Sequence, residues 1–161
     1  MSKIEKLKAG ELHELLSLLN LCFKGDPDGG YFEKSLPKLW VDDDLHMGKH
    51  YGIKDDGKLV AAFGIYPFEV LKKKKKLTFA TVGNVCTHPD YRGKGLMKGL
   101  FEELFKVAKG RGIDYLFLVP EEGYLFKIYE NLGFENGFSY SEMLVFKSEF
   151  SNNPNIETQK L

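Results

Sequence analysis

Arg92, Gly93, Lys94 and Gly95 stand between an apolar stretch, "VGNVCTHPDY", and a run with helical apolar spacing that opens at Leu96. A strand that ends, turns through glycines and starts a helix exposes unpaired N–H groups and the positive end of a helix dipole, and both attract phosphate oxygens. Gly93 and Gly95 let a ligand approach that backbone closely. Arg92 and Lys94 add positive charge at the same point, which makes a pyrophosphate a natural guest. An ordinary strand-to-helix connection with a solvated Arg and Lys uses the same residue types, so spacing alone leaves both readings open.

Two common phosphate-binding patterns do not fit. No Gly-Lys is followed by Ser or Thr at the spacing of a P-loop. The dinucleotide pattern G-x-G-x-x-G fails because Lys98 stands where its third glycine belongs, and Asp114 lies at the start of the next strand rather than near its end. Cys86, just before this corner, invites a covalent acyl-enzyme reading. His88 is close to it in sequence but across the Pro89 corner, and a buried, inert thiol is the simpler expectation.

The elements that must position this corner are legible around it. Leu12, Leu15, Leu16, Leu19 and Phe23 recur at helical spacing before Gly25, which predicts an amphipathic helix. "YFEKSLPKLW" repeats the pattern, with Pro37 expected to kink or shorten it. "HYGIK", the turn Asp55-Asp56-Gly57 and "KLVAAFGIYPFEVL" read as a hairpin, with Pro67 marking an edge or bulge. The run Lys72 to Lys76 is expected at a solvated hairpin tip, followed by a third antiparallel strand, "LTFATVGNVCT".

Leu96, Leu100, Phe101, Leu104, Phe105, Val107 and Ala108 form a broad apolar stripe ended by Gly110 and Gly112, which predicts a helix. "IDYLFLVP" reads as a short, doubly buried strand, "EEGYLFKIYENLGF" as a helix closed by Gly133, and "SEMLVFK" as a last strand. The order is two helices, a three-stranded meander, then strand-helix-strand-helix-strand. It predicts an α/β fold with a mixed sheet, helices on both faces, and a parallel pair formed by the strands near Thr87 and Asp114.

With 161 residues, 43% of them hydrophobic, the chain can bury the core of one domain, expected over residues 1–150, with 151–161 as a flexible tail. Lys plus Arg and Asp plus Glu both count 23, so no global charge points to nucleic acid or an anionic membrane. Cys22 and Cys86 match neither a metal-ligand spacing nor a disulfide framework, which favours free thiols and a cytoplasmic setting. The N-terminus lacks the pattern of a secretory leader, and no apolar run reaches the roughly 18 residues of a membrane span.

"VCTHPDYRGKGLMKGL" resembles the acetyl-CoA signature of the GNAT superfamily of N-acetyltransferases, [Q/R]-x-x-G-x-[G/A]. Arg92, Gly93, Lys94, Gly95 and Leu96 satisfy it, while Met97 replaces the usual Gly or Ala. "KIYENLGF", Lys127 to Phe134, is similar to the superfamily's second signature, and the element order is also that of the superfamily over residues 4–147. The N-terminal half, with "SLPKLW" and the hairpin leading to "YRGKGLM", is more narrowly similar to the enhanced-intracellular-survival type.

The resemblance implies an antiparallel meander followed by a splayed parallel strand pair, with acetyl-CoA as cosubstrate and no metal. Val85, Cys86 and Thr87 would pair with the pantetheine arm, and Arg92, Gly93, Lys94, Gly95, Leu96, Met97 and Lys98 would wrap the pyrophosphate. Tyr129 matches the position of the acid that protonates the departing thiolate; a phenol of ordinary pKa near 10 keeps its proton at neutral pH. No carboxylate stands where many relatives place a glutamate base. Glu69, His46, His50 and Asp42 to Asp44 border the expected acceptor side, and none is singled out.

Asp26, Asp28 and Asp42 to Asp44 make that side acidic, which points to a cationic amine acceptor, either a small molecule or a peptide. The reaction so implied is amine acetylation by direct attack, with proximity removing much of the barrier. A non-catalytic acyl-CoA sensor would keep the glycine corner without needing Tyr129. A nucleic-acid module built on the lysine run lacks interleaved aromatic residues, and a homodimer is the assembly that the resemblance allows.

Overall fold

The computed structural model describes residues 3–120 and 123–135. The expected last strand at 141–147 and the tail lie outside them. Strand β1 (Ile4–Lys6) leads into helix α1 (Leu12–Lys24), then α2 (Tyr31–Ser35) and α3 (Asp44–Met47). Strands β2 (His50–Asp55), β3 (Lys58–Lys72) and β4 (Lys75–Thr87) follow, then α4 (Leu96–Gly110), β5 (Tyr115–Phe117) and α5 (Gly123–Asn131).

Local chemistry sets most of these limits. Gly25 closes α1 in the left-handed conformation, φ 76°, with its N–H bonded to the Leu21 carbonyl. α2 stops before Pro37, as the missing N–H of proline requires. The hairpin between β2 and β3 turns at Asp56 and Gly57, whose φ angles of 47° and 78° match the twist of paired strands. At the lysine tip Lys73 and Lys74 take the same two left-handed positions without glycine.

The five strands lie in the order β1-β2-β3-β4-β5, antiparallel up to β4 and parallel between β4 and β5. The mixed sheet, its meander and its parallel pair are those expected. β1 and α3 were not foreseen: "IEK" carries no alternation, and three residues are a strand only because β2 pairs with them. Pro67 lies beyond His50, the last β2 partner of β3, so β3 is an edge there among the described residues; the irregularities in its two ladders fall elsewhere, opposite Ile53 and Lys54 and between Ala62 and Gly64.

The expectation that β5 is buried on both faces is corrected. Tyr115 is exposed, and Leu116 and Phe117 are half-buried, because β5 is the last strand of the sheet among the described residues and has one partner.

β3 feeds two cores, its alternation interrupted where two of its residues advance against one of β2, between Leu59 and Ala61. Phe63 and Ile65 pack with Leu100, Phe101 and Leu104 of α4 on one face. Leu59 and Ala62 pack with Leu15, Leu16, Leu19 and Trp40 on the other, beneath α1. His50, 2% exposed, is sealed into this second side with its ring stacked on Trp40.

Burial holds the His50 imidazole neutral, lowering its pKa from 6.5 to about 4; nearby Lys49 adds to this, and the Met47 and His46 carbonyls oppose it. Between those two values the unfolded chain binds a proton that the native chain refuses, so stability rises with pH and is lost as pH falls from 6.5 towards 4. We predict an acid-dependent loss on the order of 3 kcal/mol from this residue. Urea unfolding at pH 7 and pH 4.5 should show it, and His50→Leu, although less stable at pH 7, should lose less between the two. An equal loss in both proteins would contradict this origin.

Candidate active site

The two parallel strands part almost as soon as they meet. β4 pairs with β5 only at Phe79–Tyr115, Ala80–Leu116 and Thr81–Phe117. Between the pairs Ala62–Cys86 and Gly64–Gly83, β3 advances two residues while β4 advances three, so β4 carries a bulge. Asn84 sits in it with φ 55°. A cleft of about 700 Å³ opens between Val82–Thr87 on one side and Leu118, Val119 and Pro120 on the other.

Val85, Cys86 and Thr87 line this cleft. Among the described residues no strand pairs with the β5-facing edge of Val82–Thr87. Amide groups on such an edge are free to pair with an extended ligand.

The glycine corner closes one end. Pro89–Tyr91 form a single 3-10 turn, and the Arg92 side chain bonds back through Nε to the Thr87 carbonyl at 3.2 Å, tying the corner to the end of β4. Gly93 and Gly95 have φ 75° and 77°, and a Cβ at either would meet nothing within 4 Å. Their role is therefore the left-handed backbone itself rather than close packing.

Gly95 caps α4 with no side-chain cap bond, an arrangement whose leading N–H groups suit an anion. Arg92, Gly93, Gly95, Leu96 and Met97 border the cleft. Lys94 and Lys98 do not: the Lys94 ammonium lies over the Tyr91 ring, 4.4 Å from its centre.

Tyr129 reaches the cleft from α5, buried against Phe101 and Phe134. The Phe134 N–H bonds to the Tyr129 carbonyl, so "YENLGF" turns back to clamp the tyrosine through Gly133, φ 98°. Leu125 and Ile128 of the same helix also line the wall.

Sequence reasoning missed the pairing of the two cysteines, which no spacing could reveal. Cys22 from α1 and Cys86 from β4 both line the cleft and interact side chain to side chain. Hydrogen bonding from Cys86 and the nearby Arg92 charge lower the Cys22 pKa against the effect of burial. The same contact and full burial raise that of Cys86, so Cys22 is the more nucleophilic thiol. His88 is bound to Asp90, whose N–H lies 3.3 Å from its Nδ1.

The candidate bases scatter. Glu69 pairs with Lys76 on the exposed hairpin arm. Asp42 accepts from the Gly10 N–H at 2.7 Å and Asp44 from the Ala9 N–H at 3.0 Å. Asp43 caps α3 and bonds His46. Asp26 accepts from the Asp28 N–H in a local turn, and none of these carboxylates lines the cleft.

His50 alone connects inward. Its Nε2 lies 2.9 Å from the Tyr66 hydroxyl, which also accepts from Asn84 Nδ2 at 2.5 Å. Asn84 is a cleft residue. The one sequence signal for it was an asparagine after a glycine inside a β-rich run, a poor strand former where a bulge is needed.

Among the described residues no group of three or more His, Cys, Asp or Glu is placed to hold a metal, and no helix is long and apolar enough to cross a membrane.

Comparisons with known proteins agree with this geometry. The fold is shared with an acetyltransferase from Trypanosoma brucei, at 17% identity over 90% of this chain and 100% of that one, TM-score 0.67. It is also shared with glucosamine-6-phosphate N-acetyltransferase from Arabidopsis thaliana, at 20% identity over 89% and 98%, TM-score 0.66. A conserved protein of Enterococcus faecalis, described as a probable N-acyltransferase, matches at 21% identity and TM-score 0.63 over 80% of this chain and 32% of its own, so the chain spans about a third of that protein's length. No match was found among curated protein sequences. The family model of the acetyltransferase (GNAT) domain matches residues 3–137, and the chain belongs to the GNAT acetyltransferase family.

Proposed function

We propose that the protein transfers an acetyl group from acetyl-CoA to a primary amine, on a small molecule or a peptide, by direct attack in a ternary complex. The observation that carries this reading is the cleft itself. One opening combines an unpaired strand edge, an uncapped helix N-terminus beside Arg92, and a tyrosine on the opposite wall. The narrower likeness to the enhanced-intracellular-survival type is part of the proposal and rests on "SLPKLW" and "YRGKGLM".

In this mechanism the pantetheine arm lies along Val85, Cys86 and Thr87, and the pyrophosphate meets the N–H groups that open α4, with Arg92 supplying charge. The amine nitrogen attacks the thioester carbon, the carbon–sulfur bond breaks, and the Tyr129 hydroxyl gives its proton to the departing sulfur. Both substrates held together convert a bimolecular step into an effectively unimolecular one. Asp26, Asp28 and Asp42 to Asp44, which pointed to a cationic acceptor, lie outside the cleft wall. The proposal therefore rests on the amine and not on its charge.

Two experiments test it. Thiol release from acetyl-CoA should depend on added primary amine, and Tyr129→Phe should lower kcat by roughly 10²–10⁴ while CoA still binds. CoA binding without turnover on any amine would instead support an acyl-CoA sensor. Separately, iodoacetamide should label Cys22 well before Cys86, as peptide mass spectrometry reads it, and saturating CoA should slow the Cys22 reaction. Labelling indifferent to CoA would place the cofactor elsewhere.

A further inference from the structure

We infer that Asn84 presents its side-chain carbonyl to the cleft as the acceptor that seats an N–H of the incoming amine, and that Tyr66 and His50 fix this orientation from behind. The inference rests on the acetyl-transfer reading above and assigns the seat for the acceptor, which that reading leaves open.

The argument is one of hydrogen-bond direction. Asn84 Nδ2 donates to the Tyr66 hydroxyl oxygen at 2.5 Å, so the Tyr66 proton is directed to its other neighbour, His50 Nε2, 2.9 Å away. Burial keeps the tyrosine protonated, raising its pKa, and keeps His50 neutral. A neutral imidazole carries one ring proton. With Nε2 accepting from Tyr66, that proton belongs on Nδ1.

The chain therefore runs one way, from Asn84 through Tyr66 to His50. Reversing it would put the ring proton on Nε2, make Tyr66 donate to the Asn84 carbonyl, and turn the amide N–H groups towards the ligand. Nδ1 is buried with no hydrogen-bond partner among the described residues in either arrangement, so the direction is set by the Asn84 donation to Tyr66.

The surrounding backbone is built for this chain. Asn84 takes a left-handed conformation, φ 55°, which asparagine tolerates better than most residues. Gly64 has no room for a side chain: a Cβ there would stand 2.5 Å from the Tyr66 hydroxyl. At Gly83 a Cβ would lie 3.4 Å from the Tyr66 ring. Gly64 thus makes space for the tyrosine behind the cleft wall, and at Gly83 the contact would be an ordinary one. Asn84 Oδ1 is left without any donor from the described residues.

A neutral amide oxygen has a chemical consequence. A carboxylate at this point would hold the amine as its ammonium, which cannot attack a thioester. An amide carbonyl accepts an N–H while stabilising the charged form far less, so it suits an amine delivered neutral. Tyr66 and His50 act through Asn84 and are positioning residues.

The test combines kinetics with nitrogen NMR on the full chain. Asn84→Ala should raise KM for the amine about ten-fold or more and leave KM for acetyl-CoA within about two-fold, since one lost hydrogen bond of this kind is near a ten-fold effect. Tyr66→Phe should shift the amine KM in the same direction, and Asn84→Asp should move the rising limb of the pH–rate profile to higher pH.

Long-range proton–nitrogen correlation of labelled protein at neutral pH should show His50 as the Nδ1–H tautomer. The Nε2–H tautomer, or an Asn84→Ala variant that changes both KM values equally, would overturn the seat while leaving acetyl transfer intact. A folded wild-type protein that binds CoA and acetylates no amine would overturn the acetyl-transfer reading and this inference together. Circular dichroism of each variant separates these results from a failure to fold.

Discussion

Everything functional in this molecule depends on β4 leaving its parallel partner. Three residue pairs join β4 to β5, and then the bulge at Asn84 turns β4 aside. Had the two strands stayed paired, their amides would have satisfied one another and the sheet would have closed over the space that is now the cleft. Parting them instead leaves an edge of peptide groups that no strand among the described residues pairs with. Helix α1 on one face, and α4 with α5 packed against it on the other, flank the opening.

The charge arrangement follows from the same parting. β4 ends at Thr87, the chain turns through Pro89–Tyr91, and Arg92 ties back to the Thr87 carbonyl before two left-handed glycines launch α4. The helix therefore begins beside the end of the free edge. One ligand can meet both an extended backbone and a helix N-terminus only because these are consecutive in the chain. A net charge of zero overall is no obstacle to the proposed anion site, which would draw on local amides and one guanidinium.

How much of this was readable in the residues depends on the range of the interaction that encodes it. Local rules sufficed for α1 with its Gly25 stop, for the Asp56-Gly57 turn, and for the glycine corner before α4. β1 escaped because its strand character resides in its partner. The exposure of β5 escaped because "IDYLFLVP" is apolar whether it ends as a central or an edge strand. Within the site, Val85 to Thr87 and the corner residues Arg92, Gly93, Gly95, Leu96 and Met97, which the pattern singled out, border the cleft. Lys94 lies over the Tyr91 ring, a contact that spacing does not reveal. The Cys22–Cys86 contact and the Asn84–Tyr66–His50 chain join residues from separate elements, and only the folded sheet brings them together.

The central claim is that the parted strands and the α4 N-terminus form one binding site for an acyl-CoA. A crystal structure of the protein with CoA tests it most directly. The account predicts the pantetheine arm between the two strands, hydrogen-bonded to the Val85–Thr87 backbone, with the pyrophosphate on the first N–H groups of α4 and the sulfur within reach of the Tyr129 hydroxyl. CoA bound elsewhere, or a cleft closed by β4 pairing with residues 118–120, would contradict it.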